Sequence, residues 1–376
     1  MNLTGLQPNN TGGMEIYVRS LIEGYAQLDD AHEYRILAGS AVRGITPQRD
    51  RRFSEFTTDS RLPKAWQSWE PIGHFWQYLP VMRELHRFHP DIHHCPMNVS
   101  FPPWRLVGKT VITLHDVKFV TNPEMLRNRP IVAYLRFCWR RGFTFARKII
   151  TDSFFSKQAI IDSFPVDPDL VQVVYLGVNP HVFHKHAVAP RCARDARLAA
   201  PYLFYPAGTW PHKNHVRLLQ ALALLRDRKR IAVNLVLTGF PQTAQRDVTE
   251  TLARLRLDAQ VIWLGWISTP ELVSVYQHAC ALVFPSLYEG FGLPLIEAMA
   301  CGCPVLCSRT TACAEVAGPA ALTFDPEDVD DLAARMETIC TNAMLREEMI
   351  ANGLQWSAKF TCSRMARETL NVFAAL

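Results

Sequence analysis

The stretch Phe284-Pro285-Ser286-Leu287-Tyr288-Glu289-Gly290-Phe291-Gly292-Leu293-Pro294-Leu295-Ile296-Glu297-Ala298-Met299-Ala300-Cys301-Gly302-Cys303-Pro304-Val305 reads as strand, glycine loop, short helix and strand. Pro294 fits the first helical turn, where its missing N–H costs nothing. Gly302 fits a left-handed stop, and Pro304 bars the helix from continuing. Gly290 and Gly292 lack side chains, so an anion can approach the backbone N–H groups at the helix start, where the helix dipole adds favourable potential. Two carboxylates share the segment, Glu289 at the loop and Glu297 in the helix. Beside a bound phosphate a carboxylate is unfavourable unless it serves hydroxyl or ammonium groups, and sugar or ribose hydroxyls are suitable donors. The plainer reading, which a lone glycine pattern would favour, is a tight turn with two surface glutamates.

The alternation extends to both sides. The apolar run Tyr202 to Ala207 precedes a helix from about Asn214 to Arg226, with apolar positions Val216, Leu218, Leu219, Leu222 and Leu225. Strands at Ala232 to Leu237, Val261 to Leu264, Ala281 to Phe284 and Val305 to Cys307 are separated by helix-length segments, the pattern of a parallel sheet covered on both faces. Such sheets bind ligands at the carboxyl ends of their strands. The first half has strands at Val111 to Leu114, Lys148 to Thr151 and Val171 to Tyr175, with helices near Ile16 to Gln27 and Ile131 to Arg147. His181 to Ala200, without period and rich in Ala, Arg, His and Pro, reads as a linker. The expected organisation is an acceptor domain over residues 1–185, a donor domain over 186–357, and a C-terminal helix over 358–376 that returns to the first domain.

At 376 residues the chain calls for two cores, and 48% apolar with 20% charged residues suits a soluble globular protein rather than a disordered one. No run reaches the roughly 18 apolar residues of a membrane span, and Asn2, Thr4, Gln7 and Asn9 do not build a signal peptide, so a cytoplasmic location is expected. The ten cysteines fit free thiols in a reducing compartment. The cluster Cys301, Cys303, Cys307 and Cys313 lacks the C-x2-C spacing of structural zinc, which favours packing over a metal site. A net charge of +5 suits nucleotides, phosphates or a lipid surface. No zinc-finger, helix-turn-helix or RNP pattern points to nucleic acid.

Taken together, Glu289 and Glu297, eight positions apart with Gly-Phe-Gly-Leu-Pro between them, resemble the E-x7-E signature of retaining glycosyltransferases of family 4. Other segments resemble that family in order: Gly12-Gly13-Met14-Glu15 its first glycine loop, His115-Asp116 its H-D segment, and Ser153 to Ser156 its serine motif. Gly208-Thr209-Trp210-Pro211-His212-Lys213-Asn214 resembles its phosphate segment, Pro270-Glu271-Leu272 with Tyr276 its run-up to the signature, and Ala314 to Gly318 with Phe324-Asp325-Pro326 its closing series. His212 stands where the family often has a basic residue before the lysine, and Gly208-Thr209 where it often has Gly-Arg. Only a few residues remain for a first strand ahead of Leu3 to Gly5, so the start is read as clipped or the strand as short.

The resemblance implies an α/β fold of two Rossmann-like domains facing a central cleft, the GT-B architecture. It implies a retaining, metal-independent hexosyltransferase with no cofactor, taking a GDP- or UDP-hexose, mannose favoured, to a saccharide acceptor. It implies catalytic roles for His115, Glu289 and Lys213, and donor contacts from Gly12, Gly13, Gly208, Thr209, Lys213, Gly290, Phe291, Gly292, Leu293 and Glu297. Physics agrees for Lys213, because an ammonium near developing phosphate charge lowers the barrier. For Gly12 and Gly13 a simple tight turn stands as an equal alternative. Trp66, Trp69, Phe75, Trp76 and Tyr78 cluster with Lys64 and His74, and the helix from Ile131 carries Arg136, Arg140, Arg141, Arg147 and Lys148 among Phe137, Trp139, Phe143 and Phe145. Such mixtures read either as a lipid interface, with a lipid-linked acceptor and an inner-membrane surface as partner, or as a buried aromatic patch beside a solvated basic face. A nucleotide-sugar epimerase or phosphorylase and a non-catalytic nucleotide-sugar binder are the competing functions.

Overall fold

The computed structural model describes the chain except residues 4–5, 7–12, 40–41, 43, 48, 59–79, 99–107, 123–128, 187–191 and 193. It divides into two compact units, Met1–Gly177 with Cys362–Leu376, and Val178–Thr361.

The second unit is built on six parallel strands, β8 (Tyr202–Pro206), β9 (Asn234–Thr238), β10 (Val261–Gly265), β11 (Ala281–Phe284), β12 (Val305–Ser308) and β13 (Ala321–Phe324). Their order across the sheet is β10-β9-β8-β11-β12-β13. Counted from β8, this is the 3-2-1-4-5-6 order of a dinucleotide-binding sheet, whose direction of winding reverses between the first and fourth strands, here β8 and β11. Every residue of β11 and Leu203 to Tyr205 of β8 is buried. An uninterrupted apolar strand is what a parallel strand with both faces covered requires. Helices α4 (His215–Lys229), α5 (Gln245–Arg254), α6 (Thr269–His278), α7 (Leu293–Ala300), α8 (Thr311–Ala317), α9 (Val329–Thr341) and α10 (Ala343–Ser357) supply that cover.

The first unit holds two parallel sheets, β1-β2-β3 (Asn2–Leu3, Tyr34–Gly39, Phe53–Thr58) and β4-β5-β6-β7 (Ile92–Cys95, Lys109–Thr113, Lys148–Thr151, Val171–Val173). Its helices include α1 (Gly13–Gln27), α2 (Arg129–Phe143), α3 (Phe154–Ser163) and α11 (Cys362–Ala374). Ile112, Trp139, Ile149, Ile160, Phe164 and Val171 form its principal apolar cluster. The expected helix to Arg147 stops at Phe143, because the Arg147 N–H donates to the Thr110 carbonyl and carries the chain into β6. Helix α1 packs on α11 at Gly24, where an added Cβ would lie 2.1 Å from the Cys362 carbonyl oxygen.

Candidate active site

Helix α7 is bounded as its sequence dictates. Gly292 opens it at φ +101°, a backbone that a side chain would strain, and Pro294 follows in the first turn. At the other end the Cys303 N–H donates to the Ala298 carbonyl (2.9 Å) and the Gly302 N–H to that of Met299 (3.0 Å), with Gly302 at φ +74°. These paired bonds are a Schellman stop, which Gly302 makes inexpensive.

The loops after β8 and β11, the two strands at the reversal of winding, bring Lys213 and Glu289 together. Lys213 Nζ donates to Glu289 Oε1 at 2.6 Å and lies 5.5 Å from the centre of the Phe284 ring. The main chain of Lys213 is held from behind, its carbonyl accepting from Tyr205 Oη at 2.8 Å, and Tyr205 Oη lies 3.1 Å from Ser286 Oγ. Asn214, left-handed at φ 59°, donates from Nδ2 to the carbonyls of Pro285 (3.0 Å) and Pro326 (2.7 Å), pinning the lysine loop to the loops after β11 and β13. Burial pushes the Glu289 carboxyl up, but Lys213 outweighs it and holds the group below the usual carboxylate range. Both side chains keep an opening to solvent, 19% for Lys213 and 14% for Glu289, so a ligand can reach the pair. The ammonium has three donors, and Glu289 occupies one of them.

Glu297 lies further along α7, only 5% exposed, and accepts from Tyr276 Oη of α6 at 3.0 Å. Burial raises its carboxyl to about 7 against the opposing pull of that hydrogen bond. Neither glutamate is therefore a surface residue, and the plain turn reading does not hold. Phe291 and Leu293 are buried, with Phe291 edge-on to Phe360. Gly208 sits where a Cβ would lie 3.0 Å from the Phe240 carbonyl oxygen, a close approach of the loops after β8 and β9. Thr209 is fully buried, its hydroxyl donating to Gln245 Oε1 (3.0 Å) and accepting from the Gln242 N–H (2.6 Å).

In the first unit, Gly13 opens α1 with nothing within 4 Å of an added Cβ, while Gly12 lies outside the described residues. The cluster from Lys64 to Tyr78 lies outside them too. His115 follows β5, its ring 12% exposed and set between Asp152 Oδ2, 2.8 Å from Nδ1, and the Pro96 carbonyl oxygen, 3.1 Å from Nε2. Tyr17 stands edge-on to the ring at 4.6 Å. Asp152 was not among the expected site residues, yet it follows the end of β6 as His115 follows that of β5, and the rule that ligands gather at the carboxyl ends of parallel strands selects both. On α2, Phe137, Arg140 and Arg141 are exposed and Trp139 is buried.

None of the ten cysteines is in a disulfide, and Cys301, Cys303, Cys307 and Cys313 are buried. Among the described residues no group of three or more His, Cys, Asp or Glu side chains is placed to hold a metal ion, and no helix is long and apolar enough to cross a membrane.

Comparison with known proteins places this geometry in context. Residues 196–356 match the family described as "Glycosyl transferases group 1", and residues 11–182 match "Glycosyltransferase Family 4". The chain is 28% identical over 370 residues to O-antigen chain mannosyltransferase B of Escherichia coli, covering 97% of this chain and 96% of that one. It is 27% identical over 257 residues to O-antigen chain mannosyltransferase RfbU of Salmonella typhimurium, covering 68% and 67% respectively. In fold it is similar to the crystal structure of Anabaena Alr3699/HepE in complex with UDP and glucose, with a TM-score of 0.74 at 17% identity, covering 100% of this chain and 99% of that one.

Proposed function

The chain belongs to the family 4 glycosyltransferases, enzymes of GT-B architecture, and on that premise we propose that it moves mannose, with retention of anomeric configuration, from a nucleotide-diphosphate donor to a saccharide acceptor. The observation that carries this reading is the Lys213–Glu289 pair at the point where the second sheet reverses its winding. There an ammonium meets the diphosphate charge as the sugar leaves, a role that needs no metal or other cofactor, and the adjacent carboxylate receives hydroxyls of the transferred sugar. The start of α7 at Gly290 to Leu293 faces phosphate oxygens with its backbone, since the Phe291 and Leu293 side chains are turned inward. Gly208 and Thr209 shape the loop that carries Lys213, and Glu297 takes the ribose hydroxyls. By the family resemblance, the roles of a phosphate-side glycine loop and of a sugar or acceptor contact fall to Gly12, Gly13 and His115.

Mannose is preferred because the relatives reported above are named mannosyltransferases, and GDP is preferred only on the family resemblance of the sequence. A lipid-linked acceptor and transient contact with an anionic inner-membrane surface follow from Phe137, Arg140 and Arg141 on the exposed side of α2. Thermal stabilisation by UDP, GDP, ADP and their sugars, with and without EDTA, tests the donor reading. Stabilisation by GDP and GDP-mannose, unchanged by EDTA and lost in Glu297→Ala, is expected. No shift with any nucleotide would overturn it.

A further inference from the structure

The ring of His115 is gripped on both nitrogens. A carbonyl oxygen only accepts, so Nε2 carries a proton and donates to Pro96 O at 3.1 Å. At Nδ1 the 2.8 Å contact with Asp152 Oδ2 has two possible protonation patterns: a charged ring donating to a carboxylate, or a protonated carboxyl donating to a neutral ring. Two features favour the first. An ordinary imidazole holds its proton about 2.6 pH units more tightly than an aspartate carboxyl. Asp152 immediately precedes Ser153, the N-cap of α3 whose hydroxyl oxygen accepts from the Ser156 N–H, so the carboxylate sits at the positive end of a ten-residue helix. Asp116, next in the chain, strengthens the hold of both His115 and Asp152 on a proton and so does not choose between the patterns.

Burial works against both charges. It pulls the imidazole down, yet Asp152, the Pro96 carbonyl and Asp116 together hold His115 above the ordinary histidine range. It pushes the Asp152 carboxyl up against the pull of His115. Among the described residues, Tyr17, edge-on from α1, and His94 of β4, which burial keeps neutral, are further titratable neighbours. The main chain of His115 is fixed as firmly as its ring. Its N–H donates to Asn98 Oδ1 (2.8 Å), and its carbonyl accepts from Ser156 Oγ (3.1 Å). Asn98 is itself held at φ +65°, its carbonyl accepting from Trp139 Nε1 at 2.7 Å.

We propose that Asp152 is a positioning residue that keeps His115 doubly protonated, so that the carboxyl end of β5 presents a fixed positive charge and not a base. The proposal rests on the proposed function only in taking His115 as a residue of the reacting site. A ring already holding two protons cannot take the proton of an acceptor hydroxyl, so its contribution to transfer is electrostatic.

The test is a long-range 1H–15N spectrum of the histidine rings of the full chain at pH 6.5, the ordinary histidine midpoint, with His115 assigned by the signal lost in His115→Gln. Both ring nitrogens are expected to be protonated in the native protein, and only one in Asp152→Asn. A native ring with Nδ1 unprotonated would overturn the proposal, whatever is found for activity. In transfer assays, Asp152→Asn should lose activity progressively from pH 6 to pH 8 relative to native, up to tenfold for each pH unit by which the ring's titration falls. A uniform loss with an unchanged pH profile would refute the charge role. If Asp152→Asn does not fold, the native spectrum decides alone.

Discussion

Replacing Glu297 by glutamine should make the protein more stable at alkaline pH while weakening its donor site. The carboxyl is buried beneath Tyr276 and raised from an ordinary 4.5 to about 7. Below pH 4.5 the group is protonated in both the folded and unfolded chain, and burial costs it nothing through charge. Between 4.5 and 7 the unfolded chain ionises while the folded one does not, so folding stability falls as pH rises, and above 7 the loss is complete. At 1.36 kcal/mol per pH unit this amounts to about 3 kcal/mol, an upper figure for an isolated carboxyl. Glutamine keeps an oxygen for the tyrosine hydroxyl and cannot ionise. Urea unfolding followed by tryptophan fluorescence at pH 5 and pH 8.5 checks this. The native protein should lose roughly 2–3 kcal/mol more than Glu297→Gln across that interval. Equal pH dependence in the two proteins would refute the view that Glu297 is held in a desolvated site. If ribose binding is its function, the same variant should show at least tenfold weaker nucleotide affinity by calorimetry, since hydrogen bonds to a charged group are worth about 1.5–3 kcal/mol.

Lys213→Ala should lower the transfer rate by about 10²- to 10³-fold, the size expected for removing one preorganised charge, and the turnover number with the preferred donor measures it. The same change leaves the Glu289 carboxylate without its ammonium, so its titration should move up, visible as a pH-dependent step in thermal melting displaced to higher pH than in the native protein. Gly24→Ala should destabilise the first unit by about 2 kcal/mol or more, because the new Cβ falls 2.1 Å from the Cys362 carbonyl oxygen and α1 must separate from α11, which a denaturation midpoint will report. Gly292→Ala should cost about 1–2 kcal/mol from its φ of +101° and weaken nucleotide binding together with stability, as a thermal-shift titration would show.

Much of the fold was legible in short-range chemistry. The runs Lys148 to Thr151 and Ala281 to Phe284 form strands over the residues their apolar character marks out. Helix α7 begins and ends where Gly292, Pro294, Gly302 and Pro304 require, because capping and proline geometry act over a few residues. The alternation of such elements sufficed for two α/β domains, and the ordered motifs from Gly12 to Pro326 for the family and, through it, the two Rossmann-like folds. The family motifs set Lys213 and Glu289 in one site, but their direct pairing was not readable at that range. They are 76 positions apart, and they meet because the strand order puts β8 beside β11 and Asn214 ties the two following loops together. Tertiary structure likewise decided that Glu297 is buried and that Asp152 and Pro96 grip His115. Local patterning governs the conformation of neighbouring residues, whereas the charge a side chain carries depends on which distant groups share its dehydrated surroundings, and those are brought there only by the packed sheet.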